Sequence, residues 1–171
     1  IMQQQFDNIR AAFGSSARVT IVVGYKSEHI VEAFPEANFV YNESYDSTNT
    51  SKSLLRALKA TGKSGVLWMN GDVVFDPMAL VRAADMIDEG RSFVSVNTDK
   101  VSDEEVKYTV DAEGFIHKLS KQVVGGLGEA VGINYVSAAD KQALIRQLGR
   151  VDDQEYFEGG IEAAIAEDGL R

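Results

Sequence analysis

Up to Thr98, helical and strand-like runs alternate in the order α-β-α-β-α-β-α-β, joined by short connections. Few folds accept that order. Met2, Phe6, Ile9 and Phe13 recur at helical spacing and Gly14 follows as a natural stop, which predicts a helix over 2–13. The nearly continuous apolar run over 18–24 predicts a strand covered on both faces. Ser27 is positioned to cap a short helix carrying Ile30, Val31 and Phe34, and Pro35 stops it before a second strand at 38–41. The polar stretch 42–50 leads to a helix capped by Thr50 or Ser51, with Leu54, Leu55 and Leu58 on one face and Gly62 closing it. A third strand over 65–70 follows. Asp76 as cap and Pro77 at the first helical position then start a helix with Leu80, Val81, Ala84 and Ile87 inward, ended by Gly90. A fourth strand covers 92–98. Such an alternation predicts a three-layer, Rossmann-like α/β fold: a mostly parallel sheet with helices on both faces. A chain opening on a helix that leads into a buried strand also invites a strand before it.

Beyond Thr98 the pattern changes. Residues 106–110, a turn at 111–114 and residues 115–119 read as a hairpin. A glycine-rich loop at 122–128, read as flexible, is followed by a strand over 129–136. Ser137 caps a helix bearing Leu144, Ile145 and Leu148, and a last helix covers 156–166. These elements predict an antiparallel extension built on the sheet. Gly125, Gly126 and Gly128 follow a hairpin rather than a strand entering a helix, so they are not a dinucleotide fingerprint.

With 171 residues the chain is long enough for one domain with a buried core. No apolar run approaches the ~18 residues of a membrane span, and no signal segment opens the chain. Cysteine is absent, which removes disulfide and thiolate chemistry. These features fit a cytoplasmic protein. A net charge of −9 gives no general attraction for nucleic acid or an anionic membrane. An anionic small substrate would need local help from a metal ion, a few lysines or a helix N-terminus. His29 and His117 lack partners at metal-ligand spacing, and no Ser/His/Asp constellation can be built.

The stretch from Val66 to Pro77 carries the chemistry. An apolar strand ends in Asn70-Gly71-Asp72, and a helix starts at Asp76-Pro77. In an open α/β sheet, ligands bind beyond the carboxyl ends of the strands. A carboxylate there can hold a divalent cation, and such a cation usually accompanies a phosphate. Asp76 reads as a helix cap rather than a ligand.

Several stretches, in order along nearly the whole chain, resemble the nucleotidyltransferases that activate sugar phosphates or alcohol phosphates. They are nearest to the cytidylyltransferases acting on phosphocholine, inositol phosphate or aminoethylphosphonate. The resemblance rests on 22–26 with Glu28 and Ile30, on 41–45 with Thr48, Asn49, Ser53 and Leu54, and on Gly71-Asp72. It continues through Val106-Lys107, 114–116, Ser120-Lys121, Gly128-Glu129, Gly132-Ile133 and 156–158. It implies that Tyr45, Thr48, Asn49 and Ser53 contact the nucleotide, and that Asp72 holds Mg2+ against the α-phosphate of a nucleoside triphosphate. It places Lys121 as a catalytic charge near the phosphate of a small phosphorylated acceptor, with Lys107, Glu129 and Glu158 on the acceptor side. Residues 1–98 would then form the nucleotide-binding half of a single domain and 99–171 the acceptor-binding half, its antiparallel part acting as a lid.

Two of the family's features have no counterpart between Ile1 and Arg171. One is the glycine-rich loop that carries an arginine and, further on, a lysine for the triphosphate, which would precede the first helix. The other is a second metal-binding aspartate, which would follow a further strand. The resemblance therefore implies a domain truncated at both ends, with little activity as it stands. Two other classes share the pattern. A nucleotide-sugar-dependent glycosyltransferase would favour Asp-x-Asp where this chain has Asp72-Val73-Val74. A non-catalytic binding or regulatory domain of the same fold would not need the missing motifs. The sequence neither requires nor excludes a homo-oligomer.

Overall fold

A computed structural model describes residues 1–99, 101–102 and 104–171. The elements are α1 (Met2–Phe13), β1 (Thr20–Val23), α2 (Ser27–Ala33), β2 (Asn38–Tyr41), α3 (Thr50–Ala60), β3 (Val66–Met69), α4 (Met78–Asp88), β4 (Phe93–Asn97), β5 (Lys107–Val110), β6 (Ile116–Ser120), β7 (Glu129–Val136), α5 (Lys141–Arg150) and α6 (Phe157–Asp168). No described helix is long and apolar enough to cross a membrane.

The strands form two sheets. β1 pairs in parallel with β2, from Thr20 opposite Asn38 to Val23 opposite Tyr41. The second sheet has the order β3-β7-β5-β6, with β4 also paired to β7. Both β3 and β4 run antiparallel to β7, so they are parallel to each other, as the βαβ pattern requires. The expected α/β class holds, and β7 is the strand that changes its detail. Read from sequence as part of an extension, it lies between β3 and β4. β1 and β3 each pair on one side only among the described residues, and their side chains are mostly half-buried rather than covered on both faces.

The main core lies where α3, α5 and α6 pack on the sheet. It contains Leu54 and Leu58 of α3, Leu144 and Leu148 of α5, Phe157, Ile161 and Ala164 of α6, and Tyr108, Leu119 and Val136 of the strands. Trp68 of β3 meets Phe157 edge-on, ring centroids 5.9 Å apart. A smaller cluster stacks Phe6 on Phe34 at 4.7 Å.

Some helix faces differ from expectation. On α4, Leu80 and Ala83 are buried, while Val81 is 47% exposed. On α1, Phe6 is buried together with Gln5 and Asn8, two polar residues outside the apolar stripe. α3 is capped by Asn49, whose Oδ1 accepts from Thr50 N at 2.8 Å, rather than by Thr50 or Ser51. Ser27 makes no cap bond; α2 is entered through Lys26 in the left-handed region (φ 48). The glycine loop is a packed segment. A Cβ on Gly126 would lie 2.7 Å from Lys107 Cβ, and one on Gly128 would lie 2.4 Å from the Asn97 carbonyl oxygen.

Two buried lysines join α3 to α5. Lys52, in the first turn of α3, donates to the carbonyls of Leu148 (3.0 Å) and Val151 (2.6 Å) at the end of α5. Lys141, at the start of α5, donates to Thr61 Oγ1 (2.7 Å) and the Gly62 carbonyl (2.6 Å) beyond the end of α3. Lys52 thus satisfies carbonyls at the end of α5, Lys141 closes the turn that follows α3, and each ammonium sits at the helix end where the dipole favours a cation. Lys141→Met keeps the stem and removes the charge, leaving buried acceptors unpaired. The expected loss is about 2–3 kcal/mol, read as a lower urea midpoint at unchanged slope.

Candidate active site

The turn after β3 is held from below by α1. Gln5 Nε2 donates to the carbonyls of Asn70 (2.9 Å) and Val73 (2.7 Å), and Asn8 Nδ2 reaches the Phe75 carbonyl at 3.3 Å. Gln5 and Asn8 are thus buried on account of the Asp72 turn, a role that an apolar-stripe reading of α1 passes over. Asp76 caps α4 as expected, its Oδ1 accepting from Met78 N at 2.8 Å. Asp72 is exposed, and its carboxylate makes no hydrogen bond or ion pair among the described residues.

Opposite this turn, β7 bends. Between Val94 and Val96 of β4 the pairing moves from Asn134 to Ala130, so β7 carries extra residues there. Gly132 sits inside that bulge with φ +75, and a Cβ on it would come within 2.7 Å of Asn70 Nδ2. Only glycine combines that backbone with so close an approach. Asn70 N donates to the Gly132 carbonyl at 3.0 Å, the last tie between the two chains. Before Gly132, β7 is no longer paired with β3, and Glu129 lies across from Lys107 of β5.

The bend opens a cavity of about 420 Å³. Asp72, Asn70, Glu105, Glu129, Gly132, Lys121, Tyr156 and Glu158 are among its lining residues. A second cavity of about 330 Å³ adjoins it, sharing Val106, Lys121, Tyr156 and Glu158. Four of the residues singled out from sequence, Asp72, Lys121, Glu129 and Glu158, therefore meet in one place. Lys107 does not join them. It is buried, 9% exposed, under the glycine loop and lines neither cavity. Tyr156, quoted only as part of a resembling stretch, contributes an aromatic face. Lys121 Nζ stands 5.0 Å from its ring centroid. Glu129 Oε2 accepts from Ser102 N at 3.2 Å.

Glu158 is the unusual member. It is 8% exposed, and its Oε2 is buried with no hydrogen-bond partner. Burial pushes its pKa up to about 6, against the opposing pull of its own backbone N–H and of Lys121, with Glu155 adding to the rise. Nearby, Trp68 and Asn134 are cross-strand partners on one sheet face, and the Trp68 indole N–H and both polar atoms of the Asn134 amide are also unpaired.

The residues expected at the nucleotide form a separate group around Asn42, which is 2% exposed. Asn42 Nδ2 donates to Thr48 Oγ1 (3.2 Å) and Ser53 Oγ (3.1 Å), while its Oδ1 accepts from Ser44 N (3.1 Å) and Arg56 Nε (2.9 Å). Thr48, Ser53 and the cap Asn49 are thereby committed to shaping the loop. Tyr45 is 42% exposed and tilts against Tyr25, itself 69% exposed, at 6.3 Å. None of Tyr45, Thr48, Asn49 and Ser53 lines the Asp72 cavity. Asn42 and Tyr25 were quoted only within resembling stretches and given no role, because an asparagine and a tyrosine beside a turn carry no motif of their own. The two groups are linked through α3. Phe157 N donates to Thr50 Oγ1 (3.1 Å), Asn49 N to the Asp153 carbonyl (2.8 Å), and Gln154 Nε2 to the Ser47 carbonyl (2.7 Å).

The chain has a fold of the nucleotide-diphospho-sugar transferase type. The family model of the MobA-like NTP transferase domain matches residues 1–155, and the chain belongs to that family. Among solved structures, the chain is similar to the inositol-1-phosphate CTP transferase from T. maritima, with a TM-score of 0.75 and 16% identity over 96% of this chain and 68% of that one. It is also similar to the CTP:phosphocholine cytidylyltransferase from Streptococcus pneumoniae (TM-score 0.71, 17% identity, 96% and 71% covered). A putative glucose-1-phosphate thymidylyltransferase from Bacillus anthracis, in complex with a sucrose, superposes with a TM-score of 0.75 at 9% identity, covering 99% and 71%. No curated protein matches the chain.

Glu158 makes a pH-dependent contribution to stability. Its pKa is raised on folding, so its burial costs stability once it ionises and costs nothing where it is protonated in both states. At pH 8, Glu158→Gln should stabilise the protein by up to about 2 kcal/mol. The gain should shrink as pH falls through 6 and vanish below about 4.5, as compared by urea denaturation across that range.

Proposed function

We propose that the protein transfers a nucleoside monophosphate from a nucleoside triphosphate, CTP by preference, to the phosphate or phosphonate of a small acceptor. The observation that carries this reading is the meeting of Asp72, Lys121, Glu129 and Glu158 in one cavity at the end of β3, in a chain of the NTP transferase family. Residues 1–98 supply the nucleotide side and residues 99–171 most of the acceptor side. The preference for CTP rests on the likeness of the 45–54 segment to cytidylyltransferases.

An acceptor oxygen attacks the α-phosphorus in line. A new P–O bond forms there, the bond from the α-phosphorus to the oxygen bridging the β-phosphate breaks, and pyrophosphate leaves with that oxygen and its electron pair. Phosphate monoesters are already ionised near neutral pH, so the step needs no strong base. Lys121, a mobile ammonium, places its charge on the acceptor phosphate. Tyr45 presents its ring to the base, and the loop around Asn42 fixes that ring relative to α3. Mg2+ takes one or two protein carboxylates and draws its remaining ligands from phosphates and water. Asp72, exposed and without a partner among the described residues, fits the part of such a ligand; the bound ion would neutralise charge at the α-phosphate. Val74, two residues after Asp72, is 62% exposed and offers no second carboxylate at the turn, which speaks against a nucleotide-sugar-dependent glycosyltransferase.

Asp72→Ala in the full gene product should lower pyrophosphate release by at least about 100-fold, with stability changed by less than about 0.5 kcal/mol because the side chain is exposed. Unchanged turnover would remove Asp72 from the reaction. With the four common triphosphates compared side by side, CTP should give the highest kcat/KM.

A further inference from the structure

We propose that Gln5 of α1 is a positioning residue for the Asp72 turn: it sets where the Asp72 carboxylate stands, and so how tightly a divalent cation is held beside a nucleotide. The inference rests on the nucleotidyl-transfer reading for the cation. It goes beyond that reading by assigning the ligand's placement to a side chain that precedes the turn by 65 residues.

Asp72 occupies the third position of a four-residue turn. Val73 N donates to the Asn70 carbonyl at 3.3 Å and closes the turn over Gly71 and Asp72. The Asp72 carboxylate is exposed and has no partner among the described residues. Nothing the side chain touches therefore fixes its place, which must come from the backbone beneath it.

Gln5 provides that fixing. Its Nε2 carries two hydrogens, and the Asn70 carbonyl (2.9 Å) and the Val73 carbonyl (2.7 Å) accept them. One amide thus brackets the first and last residues of the turn, with Asp72 held between them. Among the described residues, no other side chain donates to the carbonyls of 70–73. Asn8 extends the support to the Phe75 carbonyl at 3.3 Å, and the Gly132 carbonyl holds Asn70 N from the opposite strand at 3.0 Å.

Three consecutive glutamines separate this role from a general property of α1. Gln3 and Gln4 are exposed, and Gln3 donates to Asp7 of its own helix at 3.1 Å. Gln5 alone of the three is buried, at 6% exposed. A buried amide gains nothing over an apolar side chain unless its hydrogen bonds are needed. Here they are matched to two turn carbonyls, and cation binding is what such precision would serve. Mg2+ demands near-ideal geometry from its few protein ligands, and a displacement of about 1 Å near the reacting groups can cost on the order of 100-fold in rate. Without Gln5 the two carbonyls lose their donor and the turn is free to move towards water, taking Asp72 with it.

The test uses the full gene product with Mn2+ as the probe. Its binding in the presence of CTP is read from the relaxation of water protons, and pyrophosphate release is followed separately. Gln5→Met keeps the length of the side chain and removes both donors. It should weaken Mn2+ binding and lower kcat, each by at least about tenfold, with the acceptor KM changed by less than about threefold. Gln4→Met alters the exposed neighbour. Phe34→Leu loosens the seat of α1 on its stacked partner without touching the hydrogen bonds of the turn. Both should leave Mn2+ affinity within about twofold of wild type. Unchanged Mn2+ affinity in Gln5→Met, or an equal loss in Phe34→Leu, overturns the inference. Should Gln5→Met fail to fold, the unaltered protein decides by NMR. On addition of Mg2+ and CTP the side-chain amide of Gln5 should shift while those of Gln3 and Gln4 stay in place, and a stationary Gln5 amide overturns the inference. If Asp72→Ala loses cation binding and turnover but Gln5→Met keeps both, the positioning role fails and nucleotidyl transfer stands. Gln5-dependent Mn2+ binding without pyrophosphate release from any triphosphate keeps the positioning role and sinks the transfer reaction. No Mn2+ binding by the wild-type protein, or binding indifferent to Asp72→Ala, overturns both.

Discussion

The bend of β7 at Gly132 is the constraint on which the site depends. After Gly132 the strand is hydrogen-bonded into the sheet between β3 and β4; before it, the strand leaves β3 and turns to β5. A regular antiparallel strand would have continued beside the turn that carries Asp72 and filled the space with backbone. The bulge, with a glycine at positive φ and an asparagine amide where a Cβ would have to be, leaves that space open. The carboxylates of Asp72 and Glu129 then face one cavity although they come from strands that separate there.

A second constraint ties this cavity to the loop that would meet the nucleotide. α3 and α5 exchange buried lysines end for end, which fixes their antiparallel contact with charge as well as with leucines. The same α3 begins at the Asn42-centred loop and is stitched at Thr50 to the first residue of α6. Tyr156 and Glu158 therefore cannot move far without moving the start of α3. A two-substrate transfer needs its reacting groups held to within a fraction of an ångström. Here the link between the two sides is made by helix-end hydrogen bonds rather than by a flexible hinge.

Periodicity made most of the elements legible: every helix and strand expected from the sequence is present, most with ends shifted by a residue or two. Three things were not legible, each for a physical reason. β7 could not be placed between β3 and β4 because strand order is set by pairing partners distant in sequence, and its residues read the same in an edge hairpin or a sheet centre. Gln5 and Asn8 looked like the wet face of α1 because patterning scores polarity; they are buried to hold carbonyls of the Asp72 turn. Lys107 was placed on the acceptor side by resemblance alone; it is buried under the glycine loop and lines neither cavity, a burial that depends on contacts distant in sequence. Asp72 was singled out because a carboxylate on a glycine turn after an apolar strand has few structural tasks; its side chain is exposed and has no partner among the described residues.

Glu158 shows how a site can be recognised by its conflict with folding. Elsewhere the buried lysines Lys52 and Lys141 are answered by carbonyls, and the half-buried Glu162 accepts from a backbone N–H. Leucine or glutamine at 158 would serve packing at least as well, since burying an ionised carboxylate without a partner lowers stability at neutral pH. The fold retains the charge at the start of α6, beside an exposed aromatic ring and above a sheet face where Trp68 and Asn134 also leave polar atoms unpaired. Glu158 lines both cavities, whereas Trp68 and Asn134 line neither, so it is the carboxylate that faces the space a bound molecule would fill.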